Sequence, residues 1–135
     1  MYNTALAGLS ILVLEDEALL RRQIAAQLER LGADVTGAGT LDAARKFIAD
    51  LPFDFALLDV NLPDGQGTAL LKEKVFSQNT GVVVMTADGG VSGAVEAMRL
   101  GALDYLVKPF DAAEVPLVIA RAQEQADGPG GGSSS

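Results

Sequence analysis

Residues 56–67, ALLDVNLPDGQG, form an apolar run that ends in Asp59 and passes directly into a segment of Pro, Asp and Gly. A short apolar run bounded by turn-forming residues is typical of a buried strand. A carboxylate at the end of such a strand is costly to bury unless a cation or hydrogen-bond donors compensate it. The role of Asp59 therefore depends on which groups from the rest of the chain lie beside it.

The composition predicts one compact, acidic domain. The 135 residues are 49% apolar, which is enough for a hydrophobic core. Cys and His are both absent, which excludes disulfides, Ser–His catalysis, most zinc sites and a phosphohistidine on this chain. The net charge of −8 suits a soluble surface and would repel phosphate backbones and anionic lipids, so we expect no direct binding to nucleic acid or membrane.

Three segments are expected along the chain: an N-terminal extension at 1–9, a domain at 10–125, and a flexible Gly/Ser-rich tail at 126–135. The tail is either a linker to a further domain or a cloning remnant. No apolar run approaches the roughly 20 residues that span a membrane, and the N-terminus lacks the basic start of a signal peptide. A cytoplasmic location follows as the default.

Apolar, β-rich runs alternate with helical patterns through the domain. The strands are expected at 10–15, 33–38, 53–59, 81–86 and 104–107. The helices between and after them are expected to include Leu20–Leu31, 41–50, 67–76, 91–100 and a last one from 111 to about 125. Five such units with short connections predict an α/β fold with a parallel sheet covered by helices on both faces.

Particular residues mark the ends of these helices. Thr40 is placed to cap the second helix, and Asp111 and Glu114 to form a capping box for the last one. Pro116 conflicts with that last helix, because proline there would remove the hydrogen bond to the Ala112 carbonyl. We therefore expect the helix to start late or to kink.

Polar residues stand where the apolar strands end. Ligands of open parallel sheets bind at the carboxyl ends of the strands, near a switch in strand order. The residues at these ends are Glu15-Asp16-Glu17, Asp59, Thr86-Ala87 and Lys108-Pro109. If strands one, three, four and five are neighbours, these groups converge at one edge of the sheet.

Converging carboxylates stay ionised if a cation lies among them. Because the ligands are oxygens only, Mg²⁺ is favoured over zinc or copper. The ammonium of Lys108 and the hydroxyl of Thr86 suit the stabilisation of a transferring phosphoryl group. Asp59 is then a possible nucleophile that forms an aspartyl-phosphate. Each residue alone also has an ordinary structural explanation; the combination favours the site.

Four segments together resemble the receiver domain of two-component response regulators, typified by the chemotaxis receiver. They are ILVLEDE (11–17), FALLDVNLPDGQG (55–67), VVVMTA (82–87) and GALDYLVKPF (101–110). The stretch from 85 to 111 is most similar to receivers of NtrC-type, σ54-dependent regulators. The resemblance covers about 11–125 and implies a flavodoxin-like (βα)5 fold with strand order 2-1-3-4-5.

The resemblance assigns roles to individual residues. Asp59 matches the phosphoacceptor, Asp16 the direct Mg²⁺ ligand, and Glu15 its acidic neighbour; Asn61 would contribute its backbone carbonyl to the metal. Thr86 and Lys108 match the hydroxyl and the cation that engage the phosphoryl group. Tyr105 matches the aromatic switch residue, although ordinary packing explains it equally well. Ala87 matches a small residue beside the phosphoryl pocket, and Pro109 matches a proline whose preceding peptide bond is often cis.

Two residues depart from the family pattern. Asp88 places an acid at the rim of the pocket, where it would either steer water towards the phosphoryl group or repel an anionic donor. Pro116 puts the usual dimer geometry in doubt, because the last helix lines a common partner surface.

Three competing motifs fail. The segment DVNLPDG (59–65) resembles a calcium loop, but it has one residue too many and Leu70 where a bidentate glutamate is needed. GAGTLD (37–42) resembles a dinucleotide loop but follows the wrong strand, and DGGVSG (88–93) lacks the Lys and Ser/Thr of a phosphate-binding loop.

The resemblance implies that a histidine kinase or phosphotransfer protein supplies a phosphoryl group to Asp59, and that the domain catalyses this transfer and its own dephosphorylation. An output domain outside this chain, with transcription regulation as its role, and a homodimer through the last two helices and the fifth strand are also implied. Two alternatives stay open at this point. One is a stand-alone phosphotransfer shuttle or sink, and the other is a binding module that works without phosphorylation.

Overall fold

The computed structural model describes residues 6–87 and 91–126, except for the side chains of 91–94 and 125–126. Its centre is a parallel sheet of five strands. These strands are β1 (Ser10–Leu14), β2 (Asp34–Ala38), β3 (Phe55–Asp59), β6 (Gly81–Thr86) and β7 (Asp104–Val107). Their spatial order is β2-β1-β3-β6-β7, which confirms the predicted order 2-1-3-4-5. Two further strands, β4 (Asn61–Leu62) and β5 (Gly65–Gln66), pair as a small antiparallel hairpin after β3.

Within residues 6–87 and 91–126, five α-helices cover the sheet. They are α1 (Ala18–Glu29), α2 (Leu41–Asp50), α3 (Thr68–Lys72), α4 (Val91–Arg99) and α5 (Val115–Ala126). Among the helices of the described residues, none combines the length and the apolarity that crossing a membrane requires.

The strands β1, β3 and β6 are the central strands of the sheet. Their side chains pack into two separate apolar layers, one on each face. In β1, Ile11 and Val13 belong to one layer, which includes Ile24 of α1 and Ile119 of α5. Leu12 and Leu14 belong to the other layer, with buried residues from α2, α3 and α4. This burial on both faces explains why the central strands are nearly continuous apolar runs rather than alternating ones.

The ends of α2 and α5 follow the predicted chemistry. The Thr40 hydroxyl accepts a hydrogen bond from the Ala43 amide at 3.1 Å and caps α2. Asp111 and Glu114 form the capping box, but around a short 3-10 turn that precedes α5. Pro116 is therefore the second residue of α5, and the Val115 amide bonds to the Ala112 carbonyl instead. Because α5 starts only at Val115, Pro116 stands in its first turn, where the missing N–H group breaks no helical hydrogen bond.

The third helix is shorter than predicted. The sequence pattern predicted a helix over 67–76, whereas α3 ends at Lys72. Lys74 has a φ of 58°, a left-handed conformation that breaks the helix. Val75 and Phe76 nevertheless pack against the second apolar layer, so the apolar pattern there indicated burial correctly and helix incorrectly.

The segment before β1 contributes to the core. Leu6 is 1% exposed and packs with the layer that contains Ile24. Its amide donates to the Leu31 carbonyl at 3.0 Å. Residues 1–5 and 127–135, which hold the rest of the extension and nearly all of the Gly/Ser tail, lie outside the described residues, so the division into 1–9, 10–125 and 126–135 stays a prediction.

Candidate functional site

The predicted site lies at the carboxyl edge of the parallel sheet. The chain leaves β1 towards β2 on one side, then returns to β3 on the other side. This reversal creates the crevice in which open α/β sheets bind ligands. Glu15 directly follows β1 and Asp59 ends β3. Lys108 follows β7 and reaches both carboxylates.

Lys108 joins the two buried acids. Its Nζ atom lies 2.7 Å from Oε1 of Glu15 and 3.1 Å from Oδ2 of Asp59. Glu15 is completely buried and Asp59 is 3% exposed, so both carboxylates have lost nearly all contact with water. A cation at this position compensates charges that would otherwise be costly to bury.

A third carboxylate completes an acidic cluster. Asp16 is exposed, and one oxygen from each of Glu15, Asp16 and Asp59 lies within 4.8 Å of the others. With all groups ionised, three negative charges and the one positive charge of Lys108 leave a formal charge of −2. All-oxygen donors carrying this charge suit a hard divalent cation such as Mg²⁺.

Burial and charge act on the pKa values in this cluster. Burial raises the pKa of Glu15, although the hydrogen bonds from Lys108 and from the Glu17 amide oppose this effect. Burial alone would lower the pKa of Lys108, but its hydrogen bonds to Glu15 and Asp59 outweigh that effect and raise it. Lys108 is therefore held as the ammonium form, ready to balance anionic charge.

The loop after β3 fixes the position of Asp59. The Val60 amide donates to the Met85 carbonyl at 3.0 Å, and the Gly67 amide donates to the Val60 carbonyl at 2.9 Å. A Cβ atom at Gly67 would overlap the backbone carbonyl oxygen of Asp59. Only glycine lets the chain turn back this closely, because it has no side chain. The β4–β5 hairpin thus folds tightly against the candidate phosphoacceptor.

Asn61 lies in this loop, two residues after Asp59. Its amide donates to Oδ1 of Asp59 at 3.3 Å, which leaves the other oxygen of that carboxylate for Lys108. The predicted role of the Asn61 carbonyl as a metal ligand stays a prediction.

The groups expected around a phosphoryl group lie on β6 and β7. Thr86 ends β6, is buried, and its carbonyl accepts from the Lys108 amide at 2.7 Å. This bond ties the backbone of Lys108 to that of Thr86. Tyr105 on β7 is 38% exposed. The Lys108–Pro109 peptide bond is cis, as the resemblance implied.

Ala87 is exposed and follows Thr86 directly. It lines a shallow pocket beside the site together with Leu20, Lys108 and Phe110. Asp88, for which a role at the rim was predicted, lies outside the described residues.

The sequence did not predict two residues whose hydrogen bonds support the site. Arg21 of α1 donates from Nη1 to the Glu15 carbonyl at 2.7 Å. Asp64 accepts from the amides of Leu41 and Asp42 at 2.9 and 3.1 Å, which connects the loop after β3 to the start of α2. Gly37 and Gly39 were the available indication for Arg21, since each leaves space for its side chain. Gly65 leaves space for the side chain of Leu41 and gave no indication of the Asp64 contacts.

This arrangement defines a class: an α/β protein with an acidic, lysine-paired pocket at the switch point of a parallel sheet. The family model described as the response regulator receiver domain matches residues 11–120. The chain therefore belongs to the response regulator receiver family, and it is the receiver domain of a two-component response regulator.

Curated relatives include regulators of the NtrC type, as the sequence predicted. The regulatory protein AtoC of Escherichia coli K12 is 37% identical over 113 residues, which are 83% of this chain and 24% of AtoC. The DNA-binding transcriptional regulator NtrC of Azospirillum brasilense is 33% identical over 118 residues, 87% of this chain and 24% of NtrC. The chain thus spans about a quarter of the length of these relatives.

A solved structure has the same fold. It is a response regulator protein from Burkholderia pseudomallei, described with a phosphorylated aspartic acid, calcium ion and citrate. It is 28% identical to this chain, with a TM-score of 0.76, and the match covers 87% of this chain and 68% of that one.

Proposed function

We propose that Asp59 accepts a phosphoryl group from the phosphohistidine of a histidine kinase or phosphotransfer protein. The observation that carries this proposal is the position of Lys108, whose ammonium pairs with both Asp59 and Glu15 at the switch point of the sheet. The phosphorylated aspartic acid in the related Burkholderia protein supports it.

The residues present fit Mg²⁺. Glu15, Asp16 and Asp59 would hold the ion, since their oxygens cluster within 4.8 Å and their combined charge with Lys108 matches a divalent cation. We place the Asn61 carbonyl in the same set. When bound, Mg²⁺ would neutralise the negative charge of the carboxylates and of the phosphoryl oxygens.

Phosphoryl transfer then depends on positioning more than on proton chemistry. An oxygen of the Asp59 carboxylate attacks phosphorus and the bond from phosphorus to the imidazole nitrogen breaks. The imidazole, which carries a proton on its other ring nitrogen, leaves with the bonding electron pair as neutral histidine. The product is an acyl phosphate on Asp59. Lys108 and the hydroxyl of Thr86 stabilise the charge that spreads over the phosphoryl oxygens during transfer. Hydrolysis of the acyl phosphate within the same pocket returns the domain to its starting state.

We infer that phosphorylation controls the output domain by shifting the receiver domain between two conformations. The phosphoryl group would draw Thr86 towards it and favour an inward position of Tyr105, which is exposed in this structure. Val95 and Met98 of α4, and Tyr105 and Val107 of β7, are exposed apolar residues on two elements that pack against each other, and we take them as one surface. We infer that this surface, with α5, carries a homodimer contact that responds to phosphorylation. Transcription regulation by an output domain, as in the longer relatives, and a cytoplasmic location belong to the same proposal.

The test is phosphorylation of the purified chain by acetyl phosphate or phosphoramidate, with and without Mg²⁺, followed by intact-mass measurement. We expect one added phosphoryl group that requires Mg²⁺ and is absent from Asp59→Asn. Asp50→Asn is the matched control, because Asp50 is an exposed acid at the far end of α2, and it should be phosphorylated like the wild type. Retained labelling in Asp59→Asn would exclude Asp59 as the acceptor.

A further inference from the structure

Arg21 makes a contact behind the acidic cluster that the proposed phosphorylation chemistry does not use. Its Nη1 atom donates to the backbone carbonyl of Glu15 at 2.7 Å. The contact is directed at the backbone carbonyl, so Arg21 occupies no oxygen of the Glu15 or Asp16 carboxylates. Arg21 itself is half-buried in the first turns of α1.

The carbonyl of Glu15 lies where regular strand pairing stops. The parallel pairing of β1 with β2 ends at Leu14 and Ala38. One further bond follows, from the Glu15 amide to the Ala38 carbonyl at 2.9 Å. A buried backbone carbonyl without a partner is costly. Arg21 supplies the donor for that carbonyl at the point where the sheet no longer provides one.

Two glycines in and just after β2 leave space for the Arg21 side chain. A Cβ atom at Gly37 would lie 3.2 Å from Cδ of Arg21, and one at Gly39 would lie 3.1 Å from its Nη1 atom. Both distances are shorter than ordinary van der Waals contact. Glycine is unfavourable within strands, so its presence at Gly37 and just beyond β2 at Gly39 has a packing reason. These glycines belong to the motif GAGTLD, which resembled a dinucleotide loop in the sequence.

The peptide unit that Arg21 holds connects two of the predicted metal ligands. The Glu15 carbonyl and the Asp16 amide nitrogen belong to one planar group. The orientation of that plane therefore sets the directions in which the two side chains leave the backbone. The Glu15 carboxylate is fixed from a second side, because its Oε2 atom accepts from the Glu17 amide at 3.0 Å.

We propose that Arg21 is a positioning residue for the divalent-cation site, and that Gly37 and Gly39 form the track that lets its guanidinium reach the Glu15–Asp16 peptide. The proposal rests on the proposed function, since it assumes that the acidic cluster binds Mg²⁺. It predicts that metal affinity depends on a residue that touches neither the metal nor the phosphoryl group. Side chains that orient metal ligands in this way commonly change metal affinity by about 10- to 100-fold.

The first test measures Mg²⁺ affinity by isothermal titration calorimetry of the purified full chain. Arg21→Ala should raise Kd about 10-fold, at the lower end of the range for such residues. Arg21→Lys should fall between Arg21→Ala and wild type, since an ammonium can donate but lacks the planar reach of a guanidinium. Arg22→Ala is the matched control, an exposed arginine in the same turn, and should leave Kd unchanged.

The second test separates positioning from general stability. In Arg21→Ala, the Mg²⁺ concentration for half-maximal phosphorylation by acetyl phosphate should rise about as much as Kd, while the maximal rate at saturating Mg²⁺ should stay near the wild-type value. A loss of folded protein would lower the maximal rate instead. Hydrogen exchange at residues 15–17 in the metal-free protein should become faster in Arg21→Ala and not in Arg22→Ala.

The third test uses the glycine track. Gly39→Ala keeps an ordinary backbone conformation and meets mainly the tip of Arg21, so the thermal midpoint should change little. It should nevertheless weaken Mg²⁺ binding about 3-fold, and this effect should vanish when Arg21 is already alanine, because residues in contact are not additive.

Equal Kd values for Arg21→Ala and Arg22→Ala would overturn the proposal while leaving the proposed function intact. An equal effect of Gly39→Ala in both backgrounds would overturn the role of the track. A wild-type chain that neither binds Mg²⁺ nor is phosphorylated would overturn the proposed function, and this inference with it.

Discussion

The Lys108 ammonium lies 3.1 Å from the Asp59 carboxylate, although 49 residues separate them in the chain. The contact exists because β3 and β7 both end at the same edge of the sheet, with β6 between them. The backbone bond from Lys108 to Thr86 fixes the base of the lysine on the neighbouring strand. Lys108 is thus a structural counter-ion before any phosphoryl group arrives.

Replacing Lys108 by methionine tests this structural role. Two buried carboxylates would lose their cation, so the free energy of unfolding of the metal-free protein should fall by about 2 kcal/mol, less than for a fully buried pair because Lys108 is partly exposed. Mg²⁺ should restore more stability to Lys108→Met than to the wild type, since the metal replaces the lost charge. Urea unfolding with and without MgCl₂ measures both effects.

Lys46→Met is the control for that experiment. Lys46 pairs with Asp42 at 3.3 Å, but both side chains are exposed, so the change in stability should be within about 0.5 kcal/mol. Equal losses for the two lysine variants would show that Lys108 does not compensate buried charge.

Gly67→Ala tests how closely the loop must approach Asp59, the proposed phosphoacceptor. The added Cβ atom would overlap the Asp59 carbonyl oxygen, so either Asp59 or the start of α3 must move. We expect a loss of about 1–3 kcal/mol in unfolding free energy, together with a slower phosphorylation rate when the protein is fully folded.

Gly101→Ala provides the comparison. Gly101 has a φ of 103° and open space around its Cβ position, so alanine there costs backbone strain of about 1–2 kcal/mol and no contact. Gly101 precedes β7, whereas Asp59 ends β3, so the two lie at opposite edges of the parallel sheet and phosphorylation should keep its wild-type rate. If both variants lose phosphorylation equally, the overlap with Asp59 is not the cause.

The sheet could be predicted from the sequence because its central strands are continuous apolar runs with turn residues between them. The β4–β5 hairpin could not, since its pairing depends on Gly67 turning back against Asp59, which is a tertiary contact. The predicted third helix was too long for a related reason. Val75 and Phe76 continue the apolar pattern, but they reach the core through a left-handed turn at Lys74 rather than through helix.

The site was predictable as a set of residues and not as a geometry. Parallel strands bring their carboxyl ends together, so Asp59, Thr86 and Lys108 could be grouped from the strand pattern alone. The complete burial of Glu15 and its pairing with Lys108 could not be deduced, because Asp16 and Glu17 beside it are exposed. The contacts of Arg21 and Asp64 depend on how helices pack against loops, for which local sequence gives no rule.

Asp64 gives the domain a pH-dependent element at the start of α2. The amides of Leu41 and Asp42 donate to its carboxylate and lower its pKa. A group whose pKa is lowered on folding stabilises the fold at any pH above its unfolded value, and this contribution disappears as the pH falls through the folded value. The stability difference between wild type and Asp64→Asn should therefore be largest near neutral pH and should shrink between about pH 5 and pH 2.

Thermal unfolding of both proteins across this pH range provides the measurement. Asp50→Asn, at the opposite end of α2, is the control and should differ from the wild type by a smaller amount at neutral pH, since no amide donor contacts Asp50 in the described part of the chain. A constant difference for Asp64→Asn at every pH would mean that the ionised carboxylate is not what caps the helix.

Thr86→Ala separates phosphorylation from switching. Asp59 and Lys108 keep their contacts in this variant, because the Lys108 amide bonds to the backbone carbonyl of residue 86 and not to its side chain. Phosphoryl incorporation from acetyl phosphate should therefore persist, at a rate lowered by about 100-fold because one donor to the transferring phosphoryl group is lost. The response of Tyr105 should be lost, since the hydroxyl proposed to engage the phosphoryl group is missing; Thr86→Ser should retain it.

The Tyr105 ring can be followed by nuclear magnetic resonance during phosphorylation. The chain has two tyrosines, so tyrosine-selective labelling in a Tyr2→Phe background leaves Tyr105 as the only labelled ring. In the wild-type sequence these signals should shift as the ring leaves its exposed position, and in Thr86→Ala they should stay in place although mass measurement shows the added phosphoryl group. A full Tyr105 shift in Thr86→Ala would mean that the ring responds to the phosphoryl group by a route that bypasses the hydroxyl, and the switch would then have to be sought in the backbone of β6.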